Sequence, residues 1–190
     1  MATRVRGAVV ATIAVVAGAA APPPARASEP VVAFAGASAG VAAGAGDVSD
    51  HGDVTAVLAF RGGAMWTPRV AVYAEGWMRV CVDDRALGAG VRTWPVDGIG
   101  LWVGGGVGVA RRSVSETGAC FPDAFKRSTG GWATAQVGVE LLRRTHYAVD
   151  VSLRLNASYY PEAYRRFIDD EPARGVTTGS AAIELGISLY

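Results

Sequence analysis

The clearest pattern in the chain is a strict alternation of apolar and polar positions over residues 147–159. Tyr147, Val149, Val151, Leu153, Leu155, Ala157 and Tyr159 share one phase. Ala148, Asp150, Ser152, Arg154, Asn156 and Ser158 share the other. Successive side chains of a strand point to opposite faces, so this period of two predicts a long β-strand with its polar groups on one face. The same rhythm recurs over residues 54–61, 70–80, 99–109, 133–141 and 181–189, and more weakly over 31–43 and 91–96. Eight strands are expected, with no amphipathic helix after the N-terminal segment. Short links at 62–67, 97–98 and 144–146 alternate with longer polar ones at 44–52, 83–89, 113–131 and 160–174. Short turns alternating with long loops are a habit of transmembrane barrels, and an even strand number returns both ends of the chain to the short-turn side.

Alternation alone leaves open which face is buried. A soluble lipocalin-like barrel would point its aliphatic face inward. Three features favour the opposite. The aliphatic phase is uniform along each strand, as expected where lipid is the only neighbour. The other phase mixes small residues with isolated charges and aromatics: Glu75, Arg79, Glu140, Asp150, Arg154 and Glu184. A water-facing surface would be denser in Lys and Glu, whereas Lys126 is the single lysine. The dimensions agree, because twelve residues at ~3.3 Å each and tilted ~40° rise about 30 Å, close to an apolar band of ~25 Å with its aromatic girdles. Tyr147 and Tyr159 bracket the aliphatic middle of their strand. Phe60, Trp66, Trp132 and Tyr190 are expected near strand ends, at headgroup depth.

Composition narrows the class. Hydrophobic residues make up 51% and charged residues 18%, which argues against disorder. The formal net charge is +1, with no block of basic residues, so nucleic acid is not an expected partner. At the N-terminus, Arg4 and Arg6 precede an apolar run over residues 7–21, then Pro22–Pro24 and Ala25-Arg26-Ala27. That order predicts a signal peptide over residues 1–27, cleaved after Ala27, with the barrel domain over 28–190. The run of about 15 apolar residues is short of the ~20 a membrane-spanning helix needs.

With its exported leader, eight strands and terminal Leu189-Tyr190, the chain resembles the small OmpA/OmpX-type outer-membrane barrels. The resemblance covers the whole expected mature chain and is one of architecture. It implies an all-β, closed antiparallel up-and-down transmembrane barrel in the outer membrane of a Gram-negative bacterium. It also implies contact with outer-membrane lipids and lipopolysaccharide, and a monomeric state. In that family a C-terminal aromatic belongs to the signal read by the barrel-assembly machinery, a role carried here to Tyr190. Tyr190 departs from the family pattern in being out of phase with Leu189, Ile187, Leu185 and Ile183.

A narrow eight-stranded barrel fills its interior with side chains and is not expected to conduct. Inward charges must then pair, since an isolated buried ion is too costly. Arg79 and Arg154 face Glu75, Glu140, Asp150 and Glu184, so an internal network is expected in which Arg154 holds at least one acid, with carboxylates in surplus. Gly104, Gly106 and Gly108 are expected to make room for Tyr73, Trp77 or Trp102.

Reactive chemistry is sparse, and no cofactor, metal site or catalytic group is assigned. Some barrels of this size modify lipid A using a His with Ser and an acid. Here His146 falls in a turn on the periplasmic side, and His51 lies in a Gly-bounded loop that would hold a base poorly. Asp83-Asp84 and Asp169-Asp170-Glu171 read as solvated loop acids. Cys81 and Cys120 would both sit on the outer side, and the sequence leaves open whether they pair. The expected role is structural or surface-interacting and non-enzymatic. A lipid A-modifying enzyme and a soluble periplasmic binding barrel are the competing classes.

Overall fold

The computed structural model describes residues 32–46, 54–80, 84–96, 98–114, 126–164 and 170–190, all within the unit Val31–Tyr190. The expected signal peptide, His51, Cys81, Asp83, Cys120 and Asp169 lie outside the described residues. Eight strands follow in order: β1 (Ala33–Gly46), β2 (Val54–Thr67), β3 (Val70–Arg79), β4 (Asp84–Thr93), β5 (Leu101–Val114), β6 (Lys126–Arg143), β7 (Tyr147–Ala163) and β8 (Ala173–Leu189). Each pairs antiparallel with the next, and β1 pairs with β8 to close the barrel. The closing ladder runs from Ala35↔Leu189 to Gly46↔Thr178. Closure leaves no unpaired edge, which is what lets strands cross hydrocarbon.

The wall is apolar outside and polar inside. On β7 and β8, Leu153, Leu155, Ile183 and Leu185 are between 44% and 60% exposed, while Arg154 and Glu184 between them are at most 1% exposed. The same phase holds on the other strands: Val72, Leu87, Val107, Val109, Val137 and Val139 face out. Leaving each such side chain in water forgoes about 1.5–3 kcal/mol of burial, so a continuous wall of them belongs in a bilayer. Trp66 and Tyr147 stand on the outer face near the turns, and Tyr159 stands on it toward the loops. Trp132 and Tyr190 do not join this girdle. They fall in the inward phase and pack inside. Phe60 faces out but sits mid-strand, opposite Ala37 and Gly76.

The strands depart from their expected bounds where small residues blur the alternation. Residues 62–67 are not a link. They continue β2, and the turn is Pro68-Arg69. Residues 84–89, expected in a loop, are the first half of β4, whose outward Arg85, Leu87, Ala89 and Val91 carry only two aliphatic side chains of any size. Ile99 precedes β5 instead of starting it. Strands β6, β7 and β8 run on into segments expected as loops, because the sequence need not alternate once a strand has left the hydrocarbon.

Candidate functional site

The middle of the barrel is occupied by a charged layer. Arg154 on β7 donates from Nη2 to Glu75 Oε1 on β3 at 2.6 Å. Its Nε stands 2.6 Å from Glu184 Oε1 on β8, an ion contact bent out of hydrogen-bond alignment. Arg61 on β2 donates from Nε to the same Glu75 oxygen at 2.8 Å and lies 3.6 Å from Glu184. Ser38 on β1 donates to Glu184 Oε2 at 2.6 Å. Gln136 on β6 accepts from Arg61 Nη2 at 3.0 Å. Six strands thus contribute to one cluster, and every charge in it has an opposite charge within reach, as burial demands.

Among the described residues, three interior hydrogen bonds cross the barrel between opposite strands. Arg61–Gln136 joins β2 to β6, Glu75–Arg154 joins β3 to β7, and Arg92–Ser188 joins β4 to β8. In a ring of eight, strands four apart face each other, so each bond resists stretching of the cylinder along its own diameter.

Toward the turns, Arg92 is fully buried among aromatic rings. Its guanidinium carbon lies 3.6 Å from the Trp102 ring centre, 5.5 Å from Phe34 and 5.9 Å from Trp94. Asp150 supplies its counter-charge at 3.6 Å. Ring faces carry partial negative charge, so this cage holds the cation from the sides while Asp150 and Ser188 hold its tip. Beneath it, Trp94 Nε1 and the Tyr190 hydroxyl both donate to Glu140 Oε1, at 2.8 and 2.6 Å. Tyr190 also packs against Phe34 and Trp94, with ring centres 6.1 Å apart in both pairs. Its inward phase, shared with Ser188, Gly186 and Glu184, accounts for its being out of step with Leu189. The space for the large rings comes from Gly138, where a Cβ would lie 2.5 Å from the Trp102 indole, and from Gly90, where one would lie 2.8 Å from the Tyr73 ring. Of the three glycines expected in that role, Gly104 takes it in part and two do not. Gly106 and Gly108 lie against the backbone of β4, and only Gly104 borders Tyr73.

Toward the loops, Ala42, Val57, Ala59, Trp77, Trp132, Tyr160 and Val176 form an apolar interior cluster. Trp132 Nε1 donates to Asn156 at 3.3 Å, and Asn156 donates to Ser180 at 3.2 Å. Arg79 ends β3 here, donating to Thr55 at 3.0 Å and lying 3.5 Å from Asp84. The cavity beside Trp77, Arg79, Asp84 and Tyr160 measures about 20 Å³, room for a water and nothing larger.

Of the six interior residues expected from the sequence, Glu75, Arg154 and Glu184 meet in the central cluster. Asp150 joins Arg92, and Glu140 joins Trp94 and Tyr190. Arg79 stands apart because it is two inward steps beyond Glu75, at the loop end of its strand. Sequence reasoning passed over Arg61 and Arg92, although each lies in the inward phase of its strand. Their inclusion changes the charge count. Arg61, Arg92 and Arg154, with Arg143 reaching Glu140 at 3.5 Å from the rim, stand against Glu75, Glu140, Asp150 and Glu184, so the expected surplus of acids disappears. Asp84, expected as a solvated loop acid, is buried on the inner face. His146 is exposed in the turn between β6 and β7.

No family model matches the chain, and no curated protein matches it in sequence. Solved structures do match it in fold. Neisserial surface protein A is 15% identical, with a TM-score of 0.54, over 85% of this chain and 99% of that one. Ail, the attachment invasion locus protein of Yersinia pestis, solved with the heparin analogue sucrose octasulfate, is 10% identical, with a TM-score of 0.44, over 83% and 99%. The outer membrane protein AlkL is 15% identical, with a TM-score of 0.42, over 88% and 94%. At these identities the likeness is one of fold, and the first match carries it. Together with the apolar outer wall and charged interior, it defines the class: an eight-stranded, closed, antiparallel transmembrane barrel.

Proposed function

We propose that this protein is a non-enzymatic, non-conducting, monomeric barrel. On this reading it is exported with a leader cleaved after Ala27, and its working surface is a strand ribbon outside the membrane. The observation that carries this reading is the inequality of the strands. β3 and β4 have 10 residues each, about the length that crosses a bilayer, whereas β6, β7 and β8 have 18, 17 and 17. The excess lies at the loop end, where the β7–β8 ladder continues past Tyr159↔Thr177 to Glu162↔Arg174 and Ala163↔Ala173. An open groove of about 690 Å³ lies on this extension, lined by Arg127, Ser128, Tyr164 and Arg174 and by one acid, Glu162, the register partner of Arg174. The Lys126 ammonium sits 5.0 Å from the Tyr164 ring centre beside it. Cations, an aromatic face and hydroxyls at an exposed rim suit an anionic or sugar-bearing surface partner.

The interior supports the non-conducting part, since paired charges and rings occupy the bore at successive depths. Tyr190 serves in this reading as the aromatic residue presented to the barrel-assembly machinery before it packs inside the rim. The test is display on cells that lack the protein. Full-length chain should raise adhesion to epithelial monolayers several-fold, and a version with residues 160–176 replaced by a tight turn should lose the gain while still shifting on gels after boiling. Equal adhesion by the two forms would refute the surface role. A changed lipid A mass on expression would favour the enzymatic class.

A further inference from the structure

We propose that the groove on the β6–β8 extension binds a carboxylate-bearing sugar at the end of a glycan on a facing cell, a reading that deepens the surface role above and rests on it. The groove opens where two neighbouring strands part. The β6–β7 ladder stops at Gly131↔Tyr159. Beyond that point β6 stays paired with β5 as far as Lys126, and β7 stays paired with β8 as far as Ala163. The cause is Pro161, which the register would set opposite Thr129 and which has no N–H to give to a ladder. The fork is closed again at its far end, where the Tyr164 backbone N–H donates to Ser128 Oγ at 3.3 Å.

The charges on the lining set the ligand's charge. Arg127, Arg174 and Glu162 are all exposed there, so two arginines stand against one acid and one positive charge is in surplus. Lys126, beside the groove, is engaged with the Tyr164 ring. A single anion matches this balance, whereas a polysulfated chain would set further negative charge against Glu162. A carboxylate is planar and fits an arginine fork through two parallel hydrogen bonds. The rest of the lining suits a sugar. Thr129 and Glu162 offer a hydroxyl and a carboxylate to its hydroxyl groups, and the half-buried Tyr164 ring offers an apolar surface to its C–H groups. The volume of about 690 Å³ falls within the ~300–1,000 Å³ of small-ligand sites. An acidic peptide fits less well, because a strand laid in the fork draws on main-chain donors and Pro161 withholds one from the β7 lip.

The test uses the full chain folded in detergent micelles, with sialyllactose as probe and binding read by saturation-transfer NMR over a concentration series. R127Q/R174Q should bind the probe at least tenfold more weakly than wild type. Lactose, which lacks the carboxylate, should bind wild type as weakly as the variant binds the probe. R144Q, in the turn at the opposite rim, should stay within twofold of wild type. Binding by R127Q/R174Q within twofold of wild type would overturn the site, as would undiminished binding of lactose. Tighter binding of a heparin-derived tetrasaccharide or of a Glu-rich peptide would overturn the assignment to a singly charged sugar. Each variant is first shown to shift on boiling. If the double variant does not fold, R174Q alone should weaken binding about threefold, and no weakening would count against the site. The two readings fail separately. Adhesion by the displayed chain without sialyllactose binding would overturn this site alone, and sialyllactose binding without adhesion would overturn the surface role.

Discussion

Arg154 on β7 reaches Glu75 on β3 at 2.6 Å, across the full width of the barrel. The pair is shared with Arg61 and Glu184, so four charges on four strands form one unit. Such a unit is held by mutual compensation, and removing one member leaves a buried charge without its partner.

That dependence gives the first prediction. Arg154→Met should destabilise the folded barrel by about 3–5 kcal/mol in urea titrations in micelles. Glu75→Gln should cost less alone, and the Arg154→Met, Glu75→Gln double variant should cost less than the sum of the two. Strict additivity in this cycle would show that the pair is not coupled.

Gly138 tests the aromatic layer. A methyl group there meets the Trp102 indole, which is itself pinned beneath Arg92. Gly138→Ala should lower stability by about 1–3 kcal/mol, the range for overpacking, and adding Trp102→Leu should return part of the loss. A neutral Gly138→Ala would mean that Trp102 does not occupy that space.

Tyr190 separates an assembly role from a packing role. Tyr190→Phe keeps the ring against Phe34 and Trp94 but removes the donor to Glu140. It should assemble with normal yield and lose about 1.5–3 kcal/mol, the scale for a hydrogen bond to a charged group. Tyr190→Ser should reduce the yield of assembled protein in the outer membrane as well. Equal yields for the two variants would remove the aromatic residue from the assembly signal.

Much of this arrangement was legible in the sequence, and each exception has its own physical cause. β7 and β8 announce themselves because their outward residues are Val, Leu and Ile and their inward ones Asp, Arg, Asn, Glu and Ser. β4 does not, because Ala86, Gly88, Ala89 and Gly90 blur both phases, and with it went Arg92. The extensions of β6 to β8 were unreadable for another reason. Beyond the hydrocarbon, solvent tolerates either phase, and only pairing marks the strand. The diametric ties could not be foreseen either, since alternation fixes which way a side chain points but not which of seven other strands it meets.

The filled bore predicts electrical silence. Wild-type protein in planar bilayers should show no stable open level, because the charged layer and the Arg92 cage block successive depths of the barrel. Steady ohmic steps from the purified, boil-shifting form would show that the interior is open to ions.

The account rests on the orientation of the wall, and a spin-label scan along β7 reads it directly. Single nitroxides would be placed at residues 149–157 of a C81S/C120S chain in lipid bilayers, and their accessibility to dissolved oxygen measured. Accessibility should alternate, with maxima at 151, 153, 155 and 157 and minima at 150, 152, 154 and 156. Maxima at 150, 152 and 154, or a profile without alternation, would contradict it.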